Sequence, residues 1–160
     1  MPTTLILKMR ISVTAFVTFV LLATIFASAQ DTEKKVKMKD LPAVVQAKVK
    51  ELSKGATLRG LAKEVKDGKT FYEAELKVGG HAKDVLIDPA GKVVEIEEQV
   101  TLDSLPSAAK AEILKQAGKG KILMVESITK ENAIVAYEAH VRKAGKIAEV
   151  KVSPEGKPME

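Results

Sequence analysis

The two histidines are the side chains best suited to proton transfer or metal binding. His81 follows Gly79-Gly80 in a predicted turn, and His140 lies on the polar side of a predicted strand. Neither has a second potential ligand at the helix or strand spacing that zinc sites use. The chain also has no cysteine, which excludes thiol chemistry and cysteine-ligated metals. We therefore predict surface histidines, no metal ligands and no cofactor.

Carboxylates are the second set of residues that could support chemistry. Glu95, Glu97 and Glu98 are close in sequence, and together with Glu73 and Glu75 they could form an acidic patch. Such a patch would bind Ca²⁺ or a basic partner. Alternating charges along strands more often form a solvated sheet face with cross-strand lysine pairs. Both interpretations stay open, and the solvated face is favoured.

Catalytic arrangements have weaker support. Asp84 and Asp88 lie two pleats apart on one side of a strand and could act as paired carboxylates, but Asp88 precedes a proline and is already explained as a turn residue. Ser53, Ser104 and Ser107 have no nucleophile-elbow motif and no histidine at a defined spacing. The sequence therefore predicts that the protein is not an enzyme and has no catalytic residues.

Exposed strand residues are the remaining candidates for function. Tyr72, Ala74 and Leu76 alternate with charged neighbours, and the same alternation surrounds Tyr137. Residues two apart in a strand share a face, so we expect the tyrosines in the core and the charged residues outside. The outward residues of the two strands are predicted to form a binding surface: Glu73, Glu75, Lys77, Glu138, His140 and Arg142.

The elements that carry these residues follow one order along the chain. A helix begins near Leu41-Pro42, where Val45 and Val49 follow at helical spacing, and it ends by Gly55. Extended segments separated by turn residues come next. They are Thr57 to Lys66, Thr70 to Val78, Lys83 to Asp88 and Lys92 to Glu97.

A version of this order returns about 65 residues later. Leu105-Pro106 opens a second helix, and Tyr137 lies 65 residues after Tyr72. The strands Lys121 to Lys130, Ile134 to Arg142 and Lys146 to Val152 follow, and a fourth strand is not predicted. The predicted fold is therefore α+β: a tandem repeat of an N-terminal helix packed on an antiparallel β-meander of three to four strands, with one unit at 40–100 and the other at 101–160.

These motifs resemble the PepSY-like group of bacterial envelope proteins, which is similar in fold to the tandem-repeat β-lactamase inhibitory proteins. The resemblance covers residues 40–157, and its motifs are signals for folding. It implies a periplasmic or secreted binding module with no catalytic residues to transfer, and it admits an inhibitory role. The matching residues are Leu41, Pro42, Tyr72, Glu73, Asp88 and Gly91, then Leu105, Pro106, Tyr137, Glu138 and Gly156.

The N-terminus predicts export. Lys8 and Arg10 precede an uncharged apolar run from Ile11 to Phe26, and Ala27-Ser28-Ala29 follows. This pattern is typical of a signal peptide at residues 1–29 with cleavage after Ala29. A retained membrane anchor is the alternative, although the run is shorter than the roughly 20 residues that span a bilayer. Residues 30–39 are polar and are predicted to be a flexible leader.

Charge and composition narrow the classes of partner that the protein could bind. The net charge of +5 is spread among 26 basic and 21 acidic residues, and aromatic residues make up 4 % of the chain. This argues against nucleic-acid binding. We predict a non-catalytic exported binding module that recognises another envelope protein, acting as an inhibitor or regulator of a peptidase or other hydrolase. The alternative is a periplasmic sensor that binds Ca²⁺ or a small cationic ligand.

Overall fold

Nine antiparallel strands form one continuous sheet within residues 32–159, the part of the chain that the computed structural model describes. The helices are α1 (Ala43–Leu52) and α2 (Ser107–Ala117), and a 3-10 turn precedes each of them, at Met38–Asp40 and Leu102–Ser104. The strands are β1 (Thr32–Lys35), β2 (Thr57–Lys66), β3 (Lys69–Val78), β4 (His81–Ile87), β5 (Val93–Val100), β6 (Lys121–Lys130), β7 (Ala133–Lys143), β8 (Lys146–Val152) and β9 (Pro158–Met159).

The sheet corrects the predicted fold class. The strands lie in chain order from β1 to β9, and β5 pairs with β6 from Ile96 opposite Thr129 to Val100 opposite Val125. The prediction of a tandem repeat, in which each helix packs on its own small meander, is therefore wrong. The physical reason is that the backbone N–H and C=O groups along the edge of β5 need partners, and β6 supplies them.

Four two-residue turns set the register of the sheet. Asp67-Gly68, Gly79-Gly80, Glu131-Asn132 and Ala144-Gly145 all have positive φ angles at both residues. Turns of this type match the twist of antiparallel strands and favour glycine or asparagine. They connect β2 to β3, β3 to β4, β6 to β7 and β7 to β8. A shift of the strand register by one residue would move every side chain of that strand to the opposite face of the sheet. These turns therefore also determine which residues share a face.

Both helices cover the same side of the sheet. Each begins directly after a proline, Pro42 or Pro106, whose fixed φ and missing N–H are tolerated at a helix start. Two hydrophobic clusters lie beneath them. Under α1 the cluster is Leu41, Val45, Val49, Leu61, Ala74, Leu76, Val85 and Ile87. Under α2 it is Leu105, Ala109, Ile113, Ala117, Val125, Tyr137, Ala139, Val141, Val150 and Val152. Each fully buried valine or isoleucine contributes about 1.5–3 kcal/mol to folding.

The two edges of the sheet also differ from the prediction. Thr32–Lys35, which was predicted to be part of a flexible leader, forms β1 and pairs with β2. At the other edge the residues Pro158–Met159 form β9 and pair with β8, where no fourth strand was predicted. The predicted signal peptide and its cleavage site after Ala29 lie outside the described residues.

Candidate functional site

The side of the sheet away from α1 and α2 carries most of its charged residues, and we call it the open face. Directly opposite residues of antiparallel strands point to the same side. Glu75 lies opposite Asp84, Asp84 opposite Glu97, and Glu97 opposite Ile128. These residues alternate with the core residues beneath the helices, so the open face is continuous from β3 to β6. We refer to β1–β5 as its first half and to β6–β9 as its second half.

Three carboxylates occupy the middle of the first half, and we call them the acid cluster: Glu73 on β3, Asp84 on β4 and Glu97 on β5. All three are only partly exposed. Within residues 32–159, none of them forms an ion pair shorter than 4.0 Å with a basic side chain. Like charges directly opposite one another destabilise a sheet. The acid cluster therefore has an unbalanced negative charge when it is ionised.

Burial and mutual repulsion keep the cluster partly protonated at neutral pH. Burial, with the charges of nearby carboxylates, raises the pKa of Glu73 to about 8. Burial and the charge of Glu95 raise the pKa of Glu97 to about 7. Burial and the charge of Glu126 raise the pKa of Asp84 to about 6. A cation placed among these groups would favour their ionised forms.

Two lysines neutralise the carboxylates at the border of the acid cluster. Lys130 Nζ lies 2.6 Å from Glu95 Oε2, and Lys66 Nζ lies 3.0 Å from Glu64 Oε2 and 3.7 Å from Glu95 Oε1. Burial alone would raise the pKa of Glu95, but the hydrogen bond and charge of Lys130, together with Lys66, hold it below its ordinary value. Glu64 and Glu95 are therefore paired with lysines, whereas the carboxylates of the acid cluster are not.

Apolar residues on the open face shield the acid cluster from water. Leu86 lies opposite Glu73 and is 7 % exposed, and Ile128 lies opposite Glu97 and is 3 % exposed. A cavity of about 50 Å³ lies at the cluster, lined by Glu64, Lys66, Glu73, Asp84, Leu86, Glu95 and Glu97. This volume suits an ammonium group or one or two water molecules. It is well below the roughly 300 Å³ of a typical small-molecule pocket.

The second half of the open face places a basic side chain beside each of its buried carboxylates. Glu126 on β6 and Glu138 on β7 are opposite each other and are 3 % and 7 % exposed. His140 Nε2 lies 3.1 Å from Glu126 Oε2, and Lys151 Nζ lies 2.8 Å from Glu138 Oε2. The hydrogen bond from Lys151 to Glu138 raises the pKa of Lys151 although burial opposes it. Each buried carboxylate here has a basic neighbour.

The structure places all the residues of the predicted binding surface on the open face. Those nearest its middle are partly or fully buried, while Lys77 and Arg142 are exposed towards the ends of their strands. Binding by these residues stays a prediction. The six residues are Glu73, Glu75, Lys77, Glu138, His140 and Arg142.

Three other candidate residues do not join this site. Glu98 lies on the helix-covered side, where its Oε2 is 3.2 Å from Lys83 Nζ. His81 is exposed at the start of β4, and two strands separate it from His140 on β7. Asp88 Oδ1 accepts hydrogen bonds from two backbone N–H groups of its own turn, as its position before proline predicts.

Sequence reasoning missed several charged residues of the open face. They lie on strands whose polar positions were not assigned to a face, and they include Glu64, Lys66, Glu126, Glu149 and Lys151. The missing information was the register between strands, because Glu126 becomes meaningful only when it lies opposite Glu138. Alternation within β6 carried a usable signal, since the residue before Glu126, Val125, enters the core beneath α2.

Comparison with known proteins supports the fold and leaves the family open. No family model matches the chain, and no curated protein matches it. Several solved structures are similar to it. A candidate periplasmic protein from Bacteroides eggerthii is 20 % identical with a TM-score of 0.59, covering 75 % of this chain and 86 % of that one. A DUF2874 family protein from Bacteroides uniformis is 21 % identical with a TM-score of 0.56, covering 74 % and 86 %.

A BLIP-like protein from Bacteroides fragilis is also similar in structure. It is 19 % identical with a TM-score of 0.52, and the match covers 75 % of this chain and 84 % of that one. These similarities support a BLIP-like fold for the present chain, while membership of the PepSY-like group stays a prediction. Among residues 32–159, neither helix has the length and apolar character that a bilayer crossing requires.

Proposed function

We propose that this protein is a non-catalytic, exported binding module whose open face binds a basic segment of another envelope protein. The observation that carries this proposal is the acid cluster: three partly buried carboxylates at the middle of an uncovered sheet face, without a basic partner among residues 32–159. A lysine or arginine from a partner would supply the missing charge. The Coulomb attraction would be strongest here, because neighbouring apolar side chains reduce solvent screening.

The size of the cavity at the acid cluster favours a side chain over a free organic ligand. About 50 Å³ accommodates the ammonium end of one lysine, while the rest of the partner would lie on the surrounding strands. Lys77 and Arg142 lie near the carboxyl ends of β3 and β7, which run in the same direction, so they limit the acidic region at one end of the open face. A partner that fits is therefore a basic residue within a neutral or mixed surface.

The sequence and the structural neighbours give further support for export and for the proposed class of partner. The N-terminal pattern predicts a signal peptide, and one structural neighbour is described as a candidate periplasmic protein. The name of the Bacteroides fragilis neighbour is BLIP-like, which makes a hydrolase of the envelope the first class of partner to test. Inhibition or regulation of such an enzyme is the finer part of the proposal.

The test is affinity capture from the envelope extract of the native cells. Wild-type protein is compared with the triple variant Glu73→Gln, Asp84→Asn, Glu97→Gln, which keeps the side-chain shapes and removes the charge of the acid cluster. We expect a partner that wild type retains and the variant loses. Retention should also fall between about 0.1 M and about 1 M salt, as the Debye length shrinks from about 10 Å to about 3 Å. Captured hydrolases are then assayed with and without the protein.

A matched control changes the same number and type of charges elsewhere. Glu51→Gln, Asp103→Asn, Glu112→Gln alters two exposed acids, on α1 and on the turn before α2, and one partly exposed acid on α2. This variant should capture the partner as wild type does. Equal capture by all three proteins, or loss with both variants, would contradict recognition through the acid cluster.

A second candidate function is cation sensing, and one geometric observation favours it. Carboxylate oxygens of Glu33, Glu73 and Glu75 lie within 4.8 Å of one another on β1 and β3. Ca²⁺ prefers several such oxygen ligands. Calorimetric titration with Ca²⁺ should then give heat that Glu75→Gln abolishes. No heat and no shift of the melting temperature in millimolar Ca²⁺ would remove this candidate, and partner capture that persists in EGTA would separate it from the first.

A further inference from the structure

We propose that the second half of the open face holds a site for one divalent transition-metal ion, with His140, Glu126, Glu138 and Glu149 as its ligands. We call these four residues the histidine cluster. They lie on the three adjacent strands β6, β7 and β8. The proposal does not depend on partner binding by the acid cluster, because it uses other residues and another ligand.

The donor atoms around His140 lie at distances compatible with ligands that share one ion. His140 Nε2 is 3.1 Å from Glu126 Oε2 and 3.7 Å from Glu138 Oε1. One donor atom from each of Glu138, His140 and Glu149 lies within 4.8 Å of the other two. Two ligands of a tetrahedral Zn²⁺ ion, each at about 2.1 Å from the metal, are separated by about 3.4 Å. Small side-chain movements would therefore bring the donors to bonding distance.

A second observation is an oxygen atom that lacks a hydrogen bond. Glu126 is 3 % exposed, and although its Oε2 contacts His140, its Oε1 is buried and accepts no hydrogen bond from any residue in the described part of the chain. A buried carboxylate oxygen without a partner is costly and calls for an explanation. A metal ion bound beside His140 and coordinated by both oxygens of this carboxylate would give Oε1 a partner.

The sheet holds the ligands in place before any ion arrives. Glu126 lies directly opposite Glu138, and His140 lies directly opposite Glu149. Lys151 Nζ holds Glu138 Oε2 at 2.8 Å, which leaves Oε1 of the same carboxylate facing His140. Partners of this kind orient metal ligands in many sites. Ligands on paired strands also lose less freedom on binding than ligands on loops would.

Charge and ligand type define the class of ion. With His140 neutral, the three carboxylates and Lys151 leave two net negative charges, which one divalent cation balances. An imidazole ligand favours Zn²⁺, Cu²⁺, Ni²⁺ or Co²⁺ over Ca²⁺ and Mg²⁺, which prefer oxygen. In the first half, the group formed by Glu33, Glu73 and Glu75 offers only oxygen ligands. The two halves therefore differ in the ions they would accept.

The experiment is calorimetric titration of the purified, untagged protein with Zn²⁺, and separately with Ca²⁺. We expect one Zn²⁺ per chain. His140→Gln should abolish that binding, and Glu149→Gln should weaken it about tenfold or more. Glu149 is exposed, so this second variant remains informative if His140→Gln fails to fold. His81→Gln, which changes the other histidine, should bind Zn²⁺ as wild type does.

Co²⁺ provides a second readout that a merely structural ion pair would not produce. Bound in place of Zn²⁺, it should give a visible absorption spectrum that His140→Gln loses and His81→Gln keeps. Absence of Zn²⁺ binding in wild type, unchanged binding in both Glu149→Gln and His140→Gln, or dependence on His81 would each overturn the proposal. The charge-neutral variant of the acid cluster should still bind Zn²⁺, so failure of partner recognition and failure of this site are distinguishable.

Discussion

Both halves of the open face carry carboxylates that are partly or fully buried, but they differ in the basic partners that these carboxylates have. In the second half, Glu126 and Glu138 contact His140 and Lys151. In the first half, the acid cluster has no such partners within residues 32–159, and its carboxyl groups hold their protons to higher pH instead. The difference teaches that the position of a carboxylate on the sheet does not decide whether it has a basic partner. The residues that adjacent strands place beside it do.

The largest expected effect is a dependence of stability on pH that arises in the first half. The folded-state pKa values of Glu73, Glu97 and Asp84, about 8, 7 and 6, lie above the ordinary values of 4.5 and 3.8. At a pH between the ordinary and the raised pKa of each group, the folded protein binds more protons than the unfolded chain. The free energy of unfolding therefore falls as pH rises through this range. After allowance for solvent screening, we expect a loss of about 3 kcal/mol from pH 5 to pH 8.

Urea unfolding at several pH values measures this effect. The sign is opposite for a carboxylate with a lowered pKa such as Glu95, whose stabilisation is lost as pH falls below its ordinary range. A maximum near pH 5 is therefore expected. A flat profile, or greater stability at pH 8, would contradict the description of the acid cluster.

The next effect comes from removing a cation in the second half. Lys151→Met should leave the buried Glu138 without its partner and reduce the free energy of unfolding at pH 7 by about 2 kcal/mol. Lys63→Met is the control, because Lys63 is exposed and has no close carboxylate partner among residues 32–159. Equal stability of the two variants would mean that the second half is not stabilised by its pairing.

Removing charge from the first half should have a smaller effect of opposite sign. The double variant Glu73→Gln, Glu97→Gln should be more stable than wild type by about 1–2 kcal/mol at pH 8 and similar to it at pH 5, because the amides cannot ionise. The measurement is the melting temperature at the two pH values. If the difference between pH 5 and pH 8 stays as large as in wild type, other groups cause it.

The smallest effect would come from making the first half resemble the second. Leu86 lies opposite both Glu73 and Glu95, so Leu86→Lys would place an ammonium group within the acid cluster. We expect the pH dependence to flatten and the stability at pH 8 to exceed that of Leu86→Met by about 1 kcal/mol. Partner capture should also decrease, because the site already contains a cation. Unchanged capture and an unchanged pH profile would indicate that charge balance is not what distinguishes the two halves of the open face.

Local structure was predictable from the sequence to a large extent. The strands around Tyr72 and Tyr137 and the Gly79-Gly80 turn were identified from alternation and turn chemistry, and both tyrosines pack with the core. Alternation also assigned Glu73 and His140 to the outward side. These features depend on neighbours within a few residues, which is the information that a sequence pattern contains.

Long-range pairing was not predictable, and it decides both the fold and the site. Nothing local indicates that Val100 pairs with Val125, so one sheet was divided into two units. The same limitation hid Glu126, which acquires its role from His140 across the pair of strands. Burial of charged groups followed from the continuous sheet, because apolar residues such as Ile128 also lie on the open face.

The most direct test of the difference between the halves is a site-specific NMR titration of the carboxyl carbons of Glu73 and Glu97. The structure predicts midpoints near pH 8 and pH 7, with the charge-paired Glu95 titrating below its ordinary range. Midpoints for Glu73 and Glu97 near 4.5, the ordinary value, would contradict this account. The acid cluster would then be ionised and solvated at neutral pH, and the charge argument for a basic partner would fail.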